Sequence, residues 1–141
     1  MSAIKFCLAQ LNFKIGDFEG NTAKIADTIF TAKQKGADLV VFSEMSVCGY
    51  MPDDLLDYPW FVEKCEHSLD AVAQSCQGIA AIVGGVMRNP HKGRILQNVM
   101  CFMQNGRIQK TIAKTLLPTY DVFSEARYFE PAQETDIIEF K

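Results

Sequence analysis

The fold is indicated most clearly by one stretch, Ala37-Asp38-Leu39-Val40-Val41-Phe42-Ser43-Glu44. Its four successive apolar residues, 39–42, are typical of a short central strand that is covered on both faces. Glu44 follows at the carboxyl end of that strand, which is the end where ligands bind in α/β sheets. A partly desolvated carboxylate there can serve as a general base, whereas a glutamate that begins a solvated loop would have no chemical role. Position alone leaves both interpretations open.

Strands and helices alternate on either side of this stretch. Apolar residues with helical spacing follow Asn21, which we expect to cap a helix that ends before Gly36. A second helix is predicted at about 60–77. Besides 39–42, strands are predicted at 4–11, 79–86, 95–103, 107–113 and 136–140, and Asn105-Gly106 is a hairpin turn between two of them. This order predicts a single α/β unit whose early strands are parallel and whose hairpin makes the sheet mixed.

The composition excludes several classes of protein. With 48% hydrophobic and 22% charged residues, the 141-residue chain has the balance of a globular domain and not of a disordered one. A net charge of −3 without a basic face indicates no nucleic-acid partner. The longest apolar run, 79–87, is too short for a membrane helix, which needs about 20 residues, so no membrane partner is expected. Met1 leads directly into a strand pattern without a secretion signal, and we therefore expect a cytoplasmic protein.

The cysteines carry no sign of a metal site or a disulfide framework. They contain no CxxC pair and no zinc-finger spacing, so no metal ligand is predicted. Their odd number and their mostly apolar neighbours indicate buried free thiols in a reducing compartment. The five are Cys7, Cys48, Cys65, Cys76 and Cys101.

A second candidate for chemistry is Lys114, at the end of the strand predicted at 107–113. By the two-residue period of a strand, Lys114 shares one face with Ile108, Lys110 and Ile112, and the isoleucines favour an inward face. A lysine at the inward end of a strand can stabilise an oxyanion, but an edge lysine that reaches solvent fits the same pattern. The apolar segment 116–131 is long for a loop, so it either carries function or covers the core.

Together these motifs resemble the nitrilase superfamily of carbon–nitrogen hydrolases. The resemblance lies in Ala9-Gln10-Leu11-Asn12, in Gly16-Asp17 and in the stretch 37–44, where Ser43 stands in place of the usual proline. Two further segments, 49–56 and 114–129, resemble the glutamine-amidase domain of glutamine-dependent NAD synthetases. Within the second segment, Thr119 and Ser124 replace a usual asparagine and a usual aspartate. The matching motifs extend from residue 9 to residue 131, nearly the whole chain.

The resemblance implies a fold and a set of roles. The fold would be an αββα sandwich with mixed sheets, of which residues 1–141 would form the N-terminal portion of a glutamine-amidase domain. Glu44 would be the general base and Lys114 would stabilise the oxyanion of a Glu-Lys-Cys triad. Glu125 would support the lysine, and Tyr50 and Tyr120 would line the glutamine pocket.

The third member of the triad is expected beyond this chain. In the resembled family the cysteine follows the lysine by a few tens of residues, and none of the five cysteines matches that order; Cys48, four residues after Glu44, contradicts it. We therefore expect the 141 residues alone to be inactive. The amidase part should need no cofactor, whereas ATP and magnesium would belong to a following synthetase domain, and a homo-oligomer is expected. Two alternatives remain, another nitrilase-family amidase or carbamoylase, and a non-catalytic α/β binding or scaffold module.

Overall fold

The computed structural model describes residues 3–141. The strands and helices, in chain order, are β1 (Phe6–Leu8), α1 (Phe18–Gln34), β2 (Leu39–Val41), a 3₁₀ helix (Asp53–Asp57), α2 (Pro59–Ala73), β3 (Ala80–Arg88), β4 (Leu96–Gln104), β5 (Arg107–Ala113) and α3 (Glu125–Tyr128). The strands form one sheet in the order β1-β2-β3-β4-β5. The first three are parallel, and β4 and β5 are added in antiparallel orientation. The predicted α/β class and the mixed sheet are confirmed.

Helix α1 begins earlier than the sequence predicts. Its cap is Asp17, whose Oδ1 accepts a hydrogen bond from the Gly20 backbone nitrogen at 3.0 Å. The prediction that Asn21 is the cap is wrong, because this residue lies within the helix and is buried. Its side chain instead accepts from the Lys14 nitrogen and donates to the Lys14 oxygen, and it thereby fastens the loop before the helix. The helix ends before Gly36, as predicted, where φ is +72°.

Both long helices pack against one face of the sheet, which we call the helix face. Helix α2 buries the residues expected from its spacing, although it ends four residues before the predicted boundary. Its fully buried side chains include Phe61, Cys65 and Leu69. On the sheet, Val40 of β2 and Val83 of β3 contribute to the same core. One helical layer and one sheet of the expected αββα sandwich are therefore present in residues 3–141.

The opposite face, which we call the open face, has much less cover. It carries Leu39 and Val41 of β2, Ala80 and Ile82 of β3, Met100 and Phe102 of β4, and Ile112 of β5. The C-terminal segment covers one end of it, where the Phe140 ring meets the Phe102 ring edge-on with centroids 5.9 Å apart. The prediction of a strand at 136–140 is wrong, because within the described residues this segment pairs with no strand. Its alternating apolar residues reflect packing over the face of the sheet, with Ile138 and Phe140 toward it and Ile137 exposed.

A β-bulge also changes the predicted face of β5. Phe102 lies opposite Lys110, and the next residue, Met103, lies opposite Ile108, so Gln109 is an extra residue in the strand. Ile108 consequently joins the core on the helix face, while Lys110 remains on the open face with Ile112 and Lys114.

None of the helices formed by residues 3–141 is both long and apolar enough to cross a membrane.

Candidate active site

Glu44 lies on a tight loop that is anchored to the neighbouring strand β3. After β2, the Phe42 nitrogen bonds to the Ile82 oxygen, and the chain then turns at the fully buried Met45, which has a φ of +50°. The loop crosses directly over Gly84 of β3, where a Cβ atom would lie 2.9 Å from the Glu44 Cα. The Ser46 hydroxyl adds a hydrogen bond to the Gly84 oxygen at 3.2 Å. The Glu44 side chain, 40% exposed, projects from this anchored turn.

Lys114 meets both candidate carboxylates. It directly follows β5, and its backbone nitrogen bonds to the Asn98 oxygen of β4 at 2.8 Å. Its Nζ donates to Glu44 Oε1 at 2.8 Å and to the two carboxylate oxygens of Glu125 at 3.1 and 3.0 Å. The structure therefore brings together three of the residues predicted from the sequence, which are separated by as many as 81 positions in the chain.

Glu125 is the fully buried member of this cluster. It is the first residue of α3, and none of its side chain is exposed. A buried carboxylate is tolerated only when it is paired and hydrogen-bonded, and here Lys114 supplies the charge while the Tyr50 hydroxyl donates to Oε1 at 3.0 Å. The carboxylate thus fixes both the lysine and the tyrosine.

The ionisation of the cluster follows from these contacts. Burial alone would lower the pKa of Lys114, but hydrogen bonds and charges from Glu44 and Glu125 outweigh it, so the pKa is raised above its ordinary value. Lys114 is therefore an ammonium ion at neutral pH. Burial, followed by the hydrogen bond to Glu125, raises the pKa of Tyr50, so this residue stays a neutral hydrogen-bond donor.

Tyr120 is the one predicted site residue that lies apart from the cluster. Its side chain is 70% exposed, and its ring packs on Phe123 with centroids 5.5 Å apart. Within residues 3–141 it makes no hydrogen bond to Glu44, Lys114 or Glu125. The segment 116–131 covers the core at its end, where Phe129 is fully buried, and it also supplies Glu125 to the charged cluster.

A concave pocket of about 430 Å³ opens on the open face beside the charged cluster. Its walls are mostly apolar with a few polar side chains, as is usual for a site that binds a small molecule. The lining includes Phe42, Ser43, Glu44, Ile82, Asn98, Met100, Ile112, Lys114 and Thr115.

Asn98 is a further residue of the cluster, and no motif in the sequence indicated it. It is 3% exposed, and its Nδ2 lies 2.5 Å from Glu44 Oε1 and 3.5 Å from Glu125 Oε2. The available signal was an amide between two apolar residues, Leu96 and Met100, on the same face of β4.

Comparison with known proteins places the chain in a family. A family model described as carbon-nitrogen hydrolase matches residues 6–141. The chain belongs to the carbon–nitrogen hydrolase family. The glutamine-dependent NAD(+) synthetase of Synechocystis sp. is 38% identical over 139 residues, which are 95% of this chain and 25% of that protein. The protein of the same name from Xanthomonas campestris is 36% identical, with coverage of 94% and 24%. This carbon–nitrogen hydrolase chain thus spans about a quarter of the length of these curated relatives.

Solved structures agree with the family. A glutamine-dependent NAD+ synthetase from Acinetobacter baumannii, in complex with ADP, superimposes with a TM-score of 0.89 at 31% identity and covers 97% of this chain and 26% of its own. An amidase of the nitrilase superfamily from Nesterenkonia has a TM-score of 0.78 at 19% identity, over 97% of this chain and 52% of its own. The second likeness shows that the fold is shared.

The cysteines of this carbon–nitrogen hydrolase chain lie away from the pocket or face the core. Burial raises the pKa values of Cys76 and Cys101 to about 11, and the contact with Cys48, followed by burial, raises the pKa of Cys65. Cys48 is fully buried and points its thiol toward the Met45 oxygen of its own loop, at 3.7 Å. Among residues 3–141, no group of three or more His, Cys, Asp or Glu side chains is arranged to hold a metal ion.

Proposed function

We propose that this chain carries the general base and the cationic residue of an amidase that hydrolyses the side-chain amide of glutamine. The observation that carries the proposal is the Lys114 ammonium, which is hydrogen-bonded at once to Glu44 and to the buried Glu125 beside an apolar pocket. An ordinary surface ion pair between one carboxylate and one lysine would need neither a second, buried carboxylate nor an adjacent apolar pocket. Here the pair lies at the carboxyl end of β2, where the sheet leaves room for a substrate.

The chemistry needs a thiol, which we assign to a cysteine that follows Lys141 in the full-length protein. Glu44 removes the proton from this thiol, and the thiolate attacks the amide carbon of glutamine. The carbonyl oxygen becomes an oxyanion, which the Lys114 ammonium stabilises. Collapse of the intermediate breaks the carbon–nitrogen bond, and Glu44 returns the proton to the departing nitrogen so that ammonia leaves. Water activated by Glu44 then cleaves the thioester, and glutamate and the free thiol are formed.

The remaining residues support these steps. The three acceptor oxygens around Lys114 Nζ hold the ammonium in place before a substrate arrives, so its positive charge is already positioned when the oxyanion forms. Tyr50 holds Glu125 from the other side, and its ring, 40% exposed, would line the glutamine pocket. Tyr120 would line the same pocket with its exposed ring.

The similarity to NAD synthetases supports glutamine as the substrate and extends the proposal to the full-length protein. The ammonia would pass to a synthetase domain that uses ATP and magnesium, while the amidase chemistry itself would need no cofactor. We further propose that the full-length protein is a cytoplasmic homo-oligomer, and that residues 1–141 alone do not hydrolyse glutamine.

The test separates two activities of the full-length protein. Lys114→Ala should abolish NAD synthesis from glutamine and preserve synthesis from free ammonia, because only the first needs the oxyanion donor. Lys110→Ala is the matched control. Lys110 lies on the same face of β5 as Lys114, but its side chain binds Asp136 and the Ile137 oxygen and not Glu44 or Glu125. An equal loss of ammonia-dependent synthesis in Lys114→Ala would contradict the assignment. Glutamine turnover by the 141 residues alone, abolished by Glu44→Gln, would show that the thiol lies within this chain.

The contacts within the charged cluster and the choice of substrate distinguish the proposed glutamine amidase from its two alternatives. A non-catalytic scaffold gives no reason for Glu44 and Lys114 to meet at 2.8 Å, and this contact counts against it. Another amidase or a carbamoylase would use the same pair, so the assay should compare glutamine with simple aliphatic amides and with N-carbamoyl amino acids. We expect glutamine to be preferred.

A further inference from the structure

Asn98 binds the same oxygen of Glu44 as Lys114 does. Its Nδ2 lies 2.5 Å from Glu44 Oε1, and Lys114 Nζ lies 2.8 Å from that oxygen. Within residues 3–141, Glu44 Oε2 accepts no hydrogen bond. The two oxygens of one carboxylate are therefore unequal, since Oε1 has two donors and Oε2 has none.

The orientation of the Asn98 amide follows from its neighbours. Ionised carboxylates accept hydrogen bonds and donate none, so the amide nitrogen, and not the amide oxygen, must face Glu44 and Glu125. The amide has two N–H groups, one for each carboxylate. With 3% of Asn98 exposed, and with its backbone held between β3 and β5, the amide has little freedom to turn away.

We propose that Asn98 is a positioning residue that holds Glu44 by Oε1, so that Oε2 is the oxygen that exchanges protons with the thiol and the leaving nitrogen. This inference rests on the proposed amidase function. Lys114 alone would leave the carboxylate free to rotate about one contact, whereas two donors from different strands fix its plane. The thiol proton moves to Oε2 as the thiolate forms, and the same oxygen later gives it to the departing ammonia, while both bonds to Oε1 remain.

A neutral donor suits this task better than a second cation. Another lysine or arginine would cancel the negative charge that makes Glu44 a base, whereas the amide orients the carboxylate without adding charge. The amide also reaches Glu125 Oε2 at 3.5 Å, and it therefore contacts both of the carboxylates that Lys114 bridges.

The test uses the full-length protein and the near-isosteric substitution Asn98→Leu. We expect kcat for glutamine hydrolysis to fall about 10²-fold, the loss typical of a misplaced catalytic group, with KM changed less than about threefold. Ammonia-dependent NAD synthesis should not change. Asn98→Asp keeps the shape of the side chain and replaces the donor with an acceptor, so its kcat for glutamine hydrolysis should fall at least as far. This second variant tests the inference if the leucine variant folds poorly. The matched control is Gln97→Leu, which replaces an amide on the same strand but on the helix face.

A double-substitution cycle distinguishes positioning from a structural role. If Asn98 acts through Glu44, then Asn98→Leu should have little further effect on the residual rate of Glu44→Gln. A full additional 10²-fold loss in that background would overturn the inference, as would a rise in KM at unchanged kcat, or a parallel loss of ammonia-dependent synthesis. If Glu44→Gln itself retained wild-type hydrolysis, the proposed function would fail, and the inference with it. If Glu44→Gln were inactive and Asn98→Leu were normal, only the inference would fail.

Discussion

Gly84→Ala should disable the site without any change to a reacting group. A Cβ at position 84 would lie 2.6 Å from the Met45 nitrogen and 2.7 Å from the Ser43 oxygen, and both of these are backbone atoms of the Glu44 loop. Because ordinary contacts begin near 3.4 Å, the loop would have to move by about 0.8 Å. A shift of about 1 Å in a catalytic group can cost about 10²-fold in rate, and overpacking itself costs about 1–3 kcal/mol of stability.

The adjacent glycine provides the control for this prediction. A Cβ at Gly85 would lie 2.9–3.2 Å from side-chain carbons of Leu69, on the helix face and away from the pocket. Gly85→Ala should therefore lose a similar amount of stability by denaturant titration, yet keep glutamine-dependent NAD synthesis near the wild-type rate. We expect only Gly84→Ala to lose about 10²-fold in kcat. Equal activity losses in both variants, or wild-type kcat in Gly84→Ala, would refute the argument that this glycine sets the position of Glu44.

Two further predictions concern titration and thiol reactivity. The pKa of Lys114 is raised in the folded state, so its contribution to stability is fully present below its ordinary value of 10.5 and is lost as pH rises through the folded pKa. As pH rises above 10.5, the unfolding free energy should thus fall more steeply for the wild type than for Lys114→Met, and equal slopes would contradict this. Burial raises the pKa of Cys101 to about 11, whereas Cys7 is only half-buried, so iodoacetamide at about pH 8 should label Cys7 in the native protein and Cys101 only after unfolding. Peptide mapping by mass spectrometry measures the labelling rate of each cysteine, and equally fast labelling of Cys7 and Cys101 in the native protein would refute the prediction.

The parts of the fold that were predictable from sequence depend on local patterns. Four apolar residues in a row indicated β2, Asn105-Gly106 indicated the β4–β5 hairpin, and helical spacing identified the buried side of α2. Each signal is complete within a few residues, so it does not depend on what packs against it.

Three of the features that were missed depend on pairing or packing between residues that are not neighbours in the sequence. The bulge at Gln109 is defined only by the register of β5 against β4, and a strict two-residue period therefore placed Ile108 on the wrong face. The alternation at 136–140 describes packing onto Phe102, which a sequence pattern cannot distinguish from strand pairing. Asn98 was missed because its importance comes from carboxylates 54 and 27 positions away.

The meeting of Glu44 and Lys114 can be traced to topology and to one small residue. Two successive antiparallel pairings turn β5 back to the direction of β2, so the ends of both strands lie at the same edge of the sheet. Three spacings still separate them, about 14 Å at about 4.8 Å each. That gap narrows because the loop after β2 crosses over β3, which is possible only where β3 has no side chain, at Gly84. The glycine therefore lets the carboxylate that follows β2 reach the lysine that follows β5, three strands away, with Asn98 of the intervening β4 bonded to the same carboxylate.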